Sequence, residues 1–158
     1  MLTNEFVQFL SRGGIMNITA HDLDVAHAYK VVKFKNAIKD ALSKMEEMEK
    51  SFITELKIDD PQGFDQRAEE LRKKESLTGE EQKELDDKNA IYKRLSEMRM
   101  AMYQEEAKVE TKVMPYEEWK KLQDENRSVK IGDVELLMAA EPLLEGVLWK
   151  APEDEEAA

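Results

Sequence analysis

Residues 19–58 contain neither proline nor glycine, which limits the chain to folds that accommodate one very long helix. Within this stretch, apolar residues recur at spacings of three and four, the pattern of an amphipathic helix. Two series with a period of seven supply the a and d positions of a coiled-coil seam: Val31, Ile38, Met45 and Phe52, and Phe34, Ala41 and Met48. Thr19 and Asp22 resemble an N-cap followed by an acid in the first turn. Such a helix would be roughly 60 Å long with a narrow apolar face, so it must pack against another helix.

A second long helix is predicted to begin at a capping box formed by Thr78 and Glu81 and to run over residues 79–113. Between the two helices, residues 59–63 (DDPQG) end the first one, since proline cannot continue the hydrogen-bond ladder. Residues 65–74 are expected to form a short, strongly charged and marginal helix. A connection of this length lets the second helix return antiparallel. The sequence therefore predicts a mainly α fold: a long antiparallel, coiled-coil-like helical hairpin with a small C-terminal α(+β) module.

Shorter segments are predicted on either side of the hairpin. The first residues are either a short helix or arm that docks on a neighbour, or a leader placed before a true start at Met16. In the second case, the preceding Arg12-Gly13-Gly14 would be a translated ribosome-binding site. After the hairpin, Pro115 suits the first turn of a new helix. Four segments are predicted: an arm or leader over 1–15, the hairpin over 16–113 with its charged connection at 59–78, a module over 114–150, and an acidic, disordered tail over 151–158. Within the module we expect a helix at 116–123, a strand at 129–131, a helix at 134–140 and an apolar cluster at 143–149.

Composition argues against several classes of function. The formal net charge is -11 and the chain has no cysteine, so its sequence offers no disulfide, thiol catalysis or zinc–thiolate site. The basic cluster of Lys30, Lys33, Lys35 and Lys39 lies in this acidic chain without aromatic residues interleaved on its exposed face, so we expect no nucleic-acid partner. No apolar run approaches the roughly 20 residues that span a bilayer, so we expect no membrane partner.

The sequence contains no strong catalytic or metal-binding pattern. Phosphate-loop, dinucleotide-binding and zinc-protease motifs do not occur in it. His21 and His27 lie about 240° apart around a helix and therefore do not face one metal ion. Asp24 and His27 are three residues apart and make half a metal site at most, so an ordinary helix surface is expected there. We predict a protein that is not an enzyme and has no catalytic residue, no cofactor and no bound metal.

The order of features resembles small helical proteins encoded in the gene clusters of tailed phages and prophages. The residues that carry the resemblance are AHAYKVVKFKNAIKDALSKMEEMEKSFITEL at 26–56 and the closing segments VMPYEEWKKL, VKIGDVELL and LLEGVLW. It covers nearly everything from Met16 to Lys150 and is a likeness of pattern, without a signature motif. The resemblance implies a non-enzymatic role in virion structure or assembly, with synthesis in the bacterial cytoplasm and the virion as a further location.

Three functions remain open from the sequence. The leading one is a phage or prophage structural or assembly protein that self-associates, with itself or other phage structural proteins as partners. The second is a prefoldin-like or tail-assembly chaperone, for which nine methionines would provide adaptable surface. The third is a helical-bundle enzyme that binds a small molecule or a metal. For the leading function, the predicted protein-interaction seam consists of Val31, Phe34, Ile38, Leu42, Met45, Met48, Phe52, Leu95, Met98 and Met102.

Overall fold

A computed structural model describes residues 2–12, 15–107, 109 and 114–126, together with the backbone of 149 and 150. These residues are mainly helical, as predicted. In chain order the elements are α1 (Asn4–Arg12), a 3-10 turn (Ile15–Asn17), α2 (Val25–Glu55), α3 (Pro61–Lys73), α4 (Gly79–Gln104), β1 (Met114–Pro115), α5 (Tyr116–Glu125) and β2 (Trp149–Lys150). The predicted elements at 129–131 and 134–140, the apolar cluster up to residue 148 and the tail lie outside the described residues.

The chain divides into two compact units. The first consists of Met1–Ser43 with Glu106–Ala158, and the second consists of Lys44–Glu105. α2 contributes its first half to the first unit and its last part to the second.

The start of α2 is fixed by Asp24. Its Oδ1 accepts hydrogen bonds from the backbone N–H groups of Ala26 (2.9 Å) and His27 (3.1 Å), which belong to the first turn, where no i−4 carbonyl of the helix is available. Asp24 is therefore the N-cap of α2. The prediction of an N-cap at Thr19 is wrong, because the chain between the two residues makes other hydrogen bonds and joins the helix only at Val25.

Backbone hydrogen bonds fix the end of α2. The N–H of Lys57 donates to Thr54 O (3.1 Å), and the N–H of Ile58 donates to Ile53 O (3.0 Å). Lys57 has a φ of 55°, the left-handed conformation of a Schellman motif, which satisfies the last carbonyl groups of a helix. Pro61 then begins α3. Proline is tolerated at this position because the N–H that it lacks would have no partner within the helix.

In the second unit, α4 runs antiparallel to α3 and to the last part of α2. From the start of α4 to its end, its residues contact residues that come progressively earlier in the chain: Glu84 pairs with Arg67, Tyr92 with Phe64, and Arg99 with Glu49. The prediction that the two long helices pack together is confirmed. The side of the hairpin that packs against α4 is not one continuous helix. It consists of the last part of α2 followed by α3, and both of these helices face α4.

α4 begins as predicted and ends early. Thr78 Oγ1 accepts from the N–H of Glu81 (3.2 Å), and Glu81 Oε2 accepts from the N–H of Thr78 (3.1 Å), which confirms the capping box. The helix ends at Gln104, where the predicted helix continued to residue 113. At this end the N–H of Glu105 bonds back to the last turn, and the chain enters the first unit at Glu106.

The first unit has a core that includes residues from both ends of the chain. Leu2 O accepts from the N–H of Ala107 (2.8 Å), so the segment before α1 pairs with the segment after α4. β1 and β2 pair in parallel, with Met114 opposite Trp149. The side chains that are almost fully buried here come from α1, the 3-10 turn, α2, β1 and α5: Val7, Leu10, Ile15, Phe34, Ile38, Met114, Trp119 and Leu122.

Candidate functional site

The last turn of α5 is attached to the segment that precedes α2. Asn126 is fully buried; its Oδ1 accepts from the N–H of Thr19 (3.0 Å), and its Nδ2 donates to Thr19 O (2.9 Å) and Leu122 O (2.7 Å). The carboxylate of Glu125 accepts from the N–H groups of two further residues, at 2.6 and 2.9 Å. Four hydrogen bonds thus hold α5 and this segment in a fixed register, and the bond to Leu122 O fixes the Asn126 side chain against its own helix.

The pKa of Glu125 reflects the same contacts. Burial acts to raise it, but the N–H groups of Asp22 and His21 favour the ionised form, and the resulting pKa lies below its ordinary value. Glu125 is therefore an ionised acceptor at neutral pH, in a position to bind this backbone.

Three side chains with metal-ligating atoms meet where α5 faces the start of α2. Asp24, His27 and Glu118, here called the Asp–His–Glu cluster, each offer one donor atom, and these atoms lie within 4.8 Å of one another. His27 Nδ1 is 2.6 Å from Asp24 Oδ2 and 3.4 Å from Glu118 Oε2. The cluster combines an imidazole nitrogen with two carboxylates, a donor set that proteins use for zinc and other divalent metals.

The two carboxylates of the cluster have different surroundings. Asp24 is exposed, and its pKa is lowered, first by the backbone N–H of His27. Glu118 is only 9% exposed; its Oε1 accepts from Lys121 Nζ (2.5 Å), and this bond raises the pKa of the lysine. Glu118 Oε2 is buried and has no hydrogen-bond partner among the described residues.

A second surface feature of the first unit is an apolar stripe on α2. Val25, Tyr29 and Val32, here called the α2 stripe, are 87%, 58% and 49% exposed. At about 100° per residue, the three positions fall within about 60° of arc, on the side of α2 opposite its buried face. Lys33 Nζ lies 5.0 Å from the centre of the Tyr29 ring. The stripe is therefore an apolar surface with a positive charge at its edge.

The predicted interaction seam lies on the other face of α2 and on α4. Six of its ten residues are buried within the single chain, namely Val31, Phe34, Ile38, Met45, Leu95 and Met102. The other four are half-buried, namely Leu42, Met48, Phe52 and Met98. The structure places the first four residues of the seam, up to Leu42, in the first unit and the remaining six in the second. Their role as a seam between copies stays a prediction.

Sequence reasoning did not single out the α2 stripe or Glu118. The stripe has the spacing i, i+4, i+7, which is visible in the sequence, but the longer seam on the opposite face dominates the pattern. Glu118 carries no comparable signal, because an acid in the first turn of a helix is expected from the helix dipole alone. The sequence predicts an ordinary helix surface at Asp24 and His27, with half a metal site at most, and the fold places Glu118 beside them.

Comparisons of the chain with models of known protein families, with characterised proteins and with solved structures give no match. Among the helices of the described residues, none is both long and apolar enough to cross a membrane.

Proposed function

We propose that this chain is a non-enzymatic structural or assembly protein of the kind encoded in phage and prophage gene clusters, and that it self-associates through its long helices. The observation that carries the proposal is the α2 stripe. Its three apolar side chains are about half or more exposed on one face of a long helix, Val25 at 87%, and together they form an apolar patch that a partner surface can cover.

The size of the stripe indicates weak association per contact. Each of its three side chains would contribute about 1–2 kcal/mol on burial, since two of them are already partly covered. Lost translational and rotational freedom costs about 4 kcal/mol or more. One contact therefore gives association only at high concentration, whereas an assembly with many copies strengthens it through repeated contacts.

Charge favours contact with an acidic surface such as another part of a second copy. Residues 25–39 contain four lysines and no acid, in a chain whose net charge is -11. Lys33 is exposed beside the stripe, and Lys39 is exposed about two turns beyond its C-terminal end. A partner surface with acidic residues at its edges would form ion pairs with these lysines. Two α2 stripes that face each other would bring like charges together, so contact between identical stripes is disfavoured.

Because one stripe contact is weak, static light scattering on undiluted solutions tests the proposal, across a tenfold concentration range that ends at the highest soluble concentration. We expect the mass of the wild-type chain to rise with concentration, and a V25D/V32D variant to remain monomeric with an unchanged melting temperature. Ser51→Asp, an exposed position on the same helix away from the stripe, is the matched control and should behave as wild type. A wild-type chain that is monomeric throughout, or a double variant that associates equally, would overturn the proposal.

The chaperone alternative predicts a different result. A chain that suppresses aggregation of a denatured client, and loses this ability in V25D/V32D, would use the α2 stripe to hold client surface. Association without any suppression favours the structural or assembly role.

A further inference from the structure

We propose that Asp24, His27 and Glu118 bind one divalent transition-metal ion, with Zn²⁺ as the best fit to the donor set. This inference is independent of self-association, and it departs from the sequence-based expectation of no metal. It rests on the convergence of one imidazole and two carboxylates from two separated parts of the chain, with donor atoms within 4.8 Å of one another.

The distances fit a metal with bonds of about 2.0–2.1 Å. In a tetrahedral site of that size, neighbouring ligand atoms lie roughly 3.3 Å apart. His27 Nδ1 and Glu118 Oε2 are separated by 3.4 Å, close to this value. The 2.6 Å between His27 Nδ1 and Asp24 Oδ2 is a hydrogen-bond distance. Metal binding needs His27 Nδ1 without a proton, so a neutral ring takes the Nε2–H tautomer and a protonated ring releases one proton to solvent. A small outward shift of Asp24 Oδ2 then makes room for the ion, while Oδ1 stays on the N–H groups of the helix.

Glu118 supplies an independent argument. A buried carboxylate oxygen normally has a hydrogen-bond donor, because leaving it without one costs free energy. Glu118 is nine-tenths buried, yet its Oε2 has no such partner among the described residues and lies beside His27 Nδ1. A cation between the two atoms would satisfy this oxygen. Lys121 holds the other oxygen, Oε1, and so orients the carboxylate.

The surrounding structure positions the other ligands. Asp24 Oδ1 is held by the N–H groups at the start of α2, which leaves Oδ2 for the ion. Asn126 and Glu125 fix α5 against the preceding segment, as described above. A bound ion would tie α5 to α2 at one more point, and we therefore expect it to stabilise the first unit.

The test uses the untagged full chain, stripped with a chelator and titrated calorimetrically with ZnCl₂. We expect one site in the wild type, and affinity at least about tenfold weaker in His27→Ala and Glu118→Gln. His21→Ala is the matched control, because His21 is the chain's only other histidine, and it should bind as wild type. Zn²⁺ should also raise the melting temperature of the wild type and of His21→Ala, and not that of His27→Ala.

A second measurement keeps the test decisive if a variant folds poorly. Co²⁺ bound to the wild-type chain should give the visible absorption bands of a tetrahedral nitrogen and oxygen site, lost on addition of Zn²⁺. Binding that is equal in wild type and His27→Ala, or a wild-type chain that binds neither Zn²⁺ nor Co²⁺, would overturn the proposal and leave the cluster as an ion-pair network.

Discussion

Replacement of Asn126 by alanine should destabilise the first unit more than any other single polar-to-alanine change near α5. Its side chain makes three hydrogen bonds, two of them to the backbone of Thr19, which is 107 residues away in sequence. At about 1 kcal/mol for each bond, their loss would lower the free energy of unfolding by about 3 kcal/mol. Thr19 is only half-buried, so water can replace part of this loss, and we expect about 2–3 kcal/mol.

Asn126→Asp tests how much the hydrogen bonds contribute to the free energy of unfolding while the volume of the side chain is kept. The carboxylate keeps the acceptor for the Thr19 N–H, but it loses both donated bonds and faces the carbonyl oxygens of Thr19 and Leu122. At neutral pH, we therefore expect Asn126→Asp to be at least as destabilising as Asn126→Ala, although it is nearly isosteric with the wild type.

Urea unfolding gives the free energies, and hydrogen exchange locates the effect. The amide of Thr19 should exchange faster in Asn126→Ala, which removes its acceptor, whereas the amides of α4 should not change in either variant. Asn17→Ala, an exposed asparagine in the same unit, is the control and should stay within about 0.5 kcal/mol of wild type. A loss below about 1 kcal/mol in Asn126→Ala, with Thr19 exchange unchanged, would refute the reasoning.

Two further predictions concern α1 and α4. Leu10 is fully buried, so Leu10→Ala should lower the free energy of unfolding, measured by chemical denaturation, by about 2–5 kcal/mol. Phe9 is half-exposed, so Phe9→Ala should lower it less. Equal effects of the two substitutions would show that α1 does not contribute to the core. The pKa of Glu81 is lowered to about 2, first by its bond from Lys74 and then by the Thr78 N–H. Because the folded-state pKa lies below the unfolded value of 4.5, the stabilisation is complete above pH 4.5 and is lost as the pH falls towards 2. Glu81→Gln, which can keep the capping box, should show a shallower fall of melting temperature in this range, and an identical slope would contradict the assignment.

The features predicted correctly from sequence are those decided within a few residues. The capping box needs only Thr78 and Glu81, and its geometry is as expected. Helix ends were predicted less well where two local signals compete. Thr19 has the side chain of an N-cap, but its backbone is bound by Asn126, and Asp24 caps the helix. Pro61 was expected only to end a helix, and it begins the next one.

The Asp–His–Glu cluster shows why sites are harder to predict than helices. The spacing of Asp24 and His27 follows from one helix and is visible in the sequence. Glu118 joins them through the docking of α5, which depends on the burial of Trp119 and Leu122 on the same helix. Apolar spacing predicts that such a helix has a buried face, but it does not identify the residues against which that face packs.

The burial of the predicted seam changes which mutation can test self-association. An aspartate at Ile38 would place an unpaired charge at a position that is fully buried in the single chain, at a cost of several kcal/mol. Its effect would be unfolding, whether or not copies associate. Val25 is 87% exposed, so an aspartate there removes apolar contact surface without disturbing the core. A variant at Val25 that keeps its melting temperature and loses association therefore reports on the contact between copies, which a variant at Ile38 cannot do.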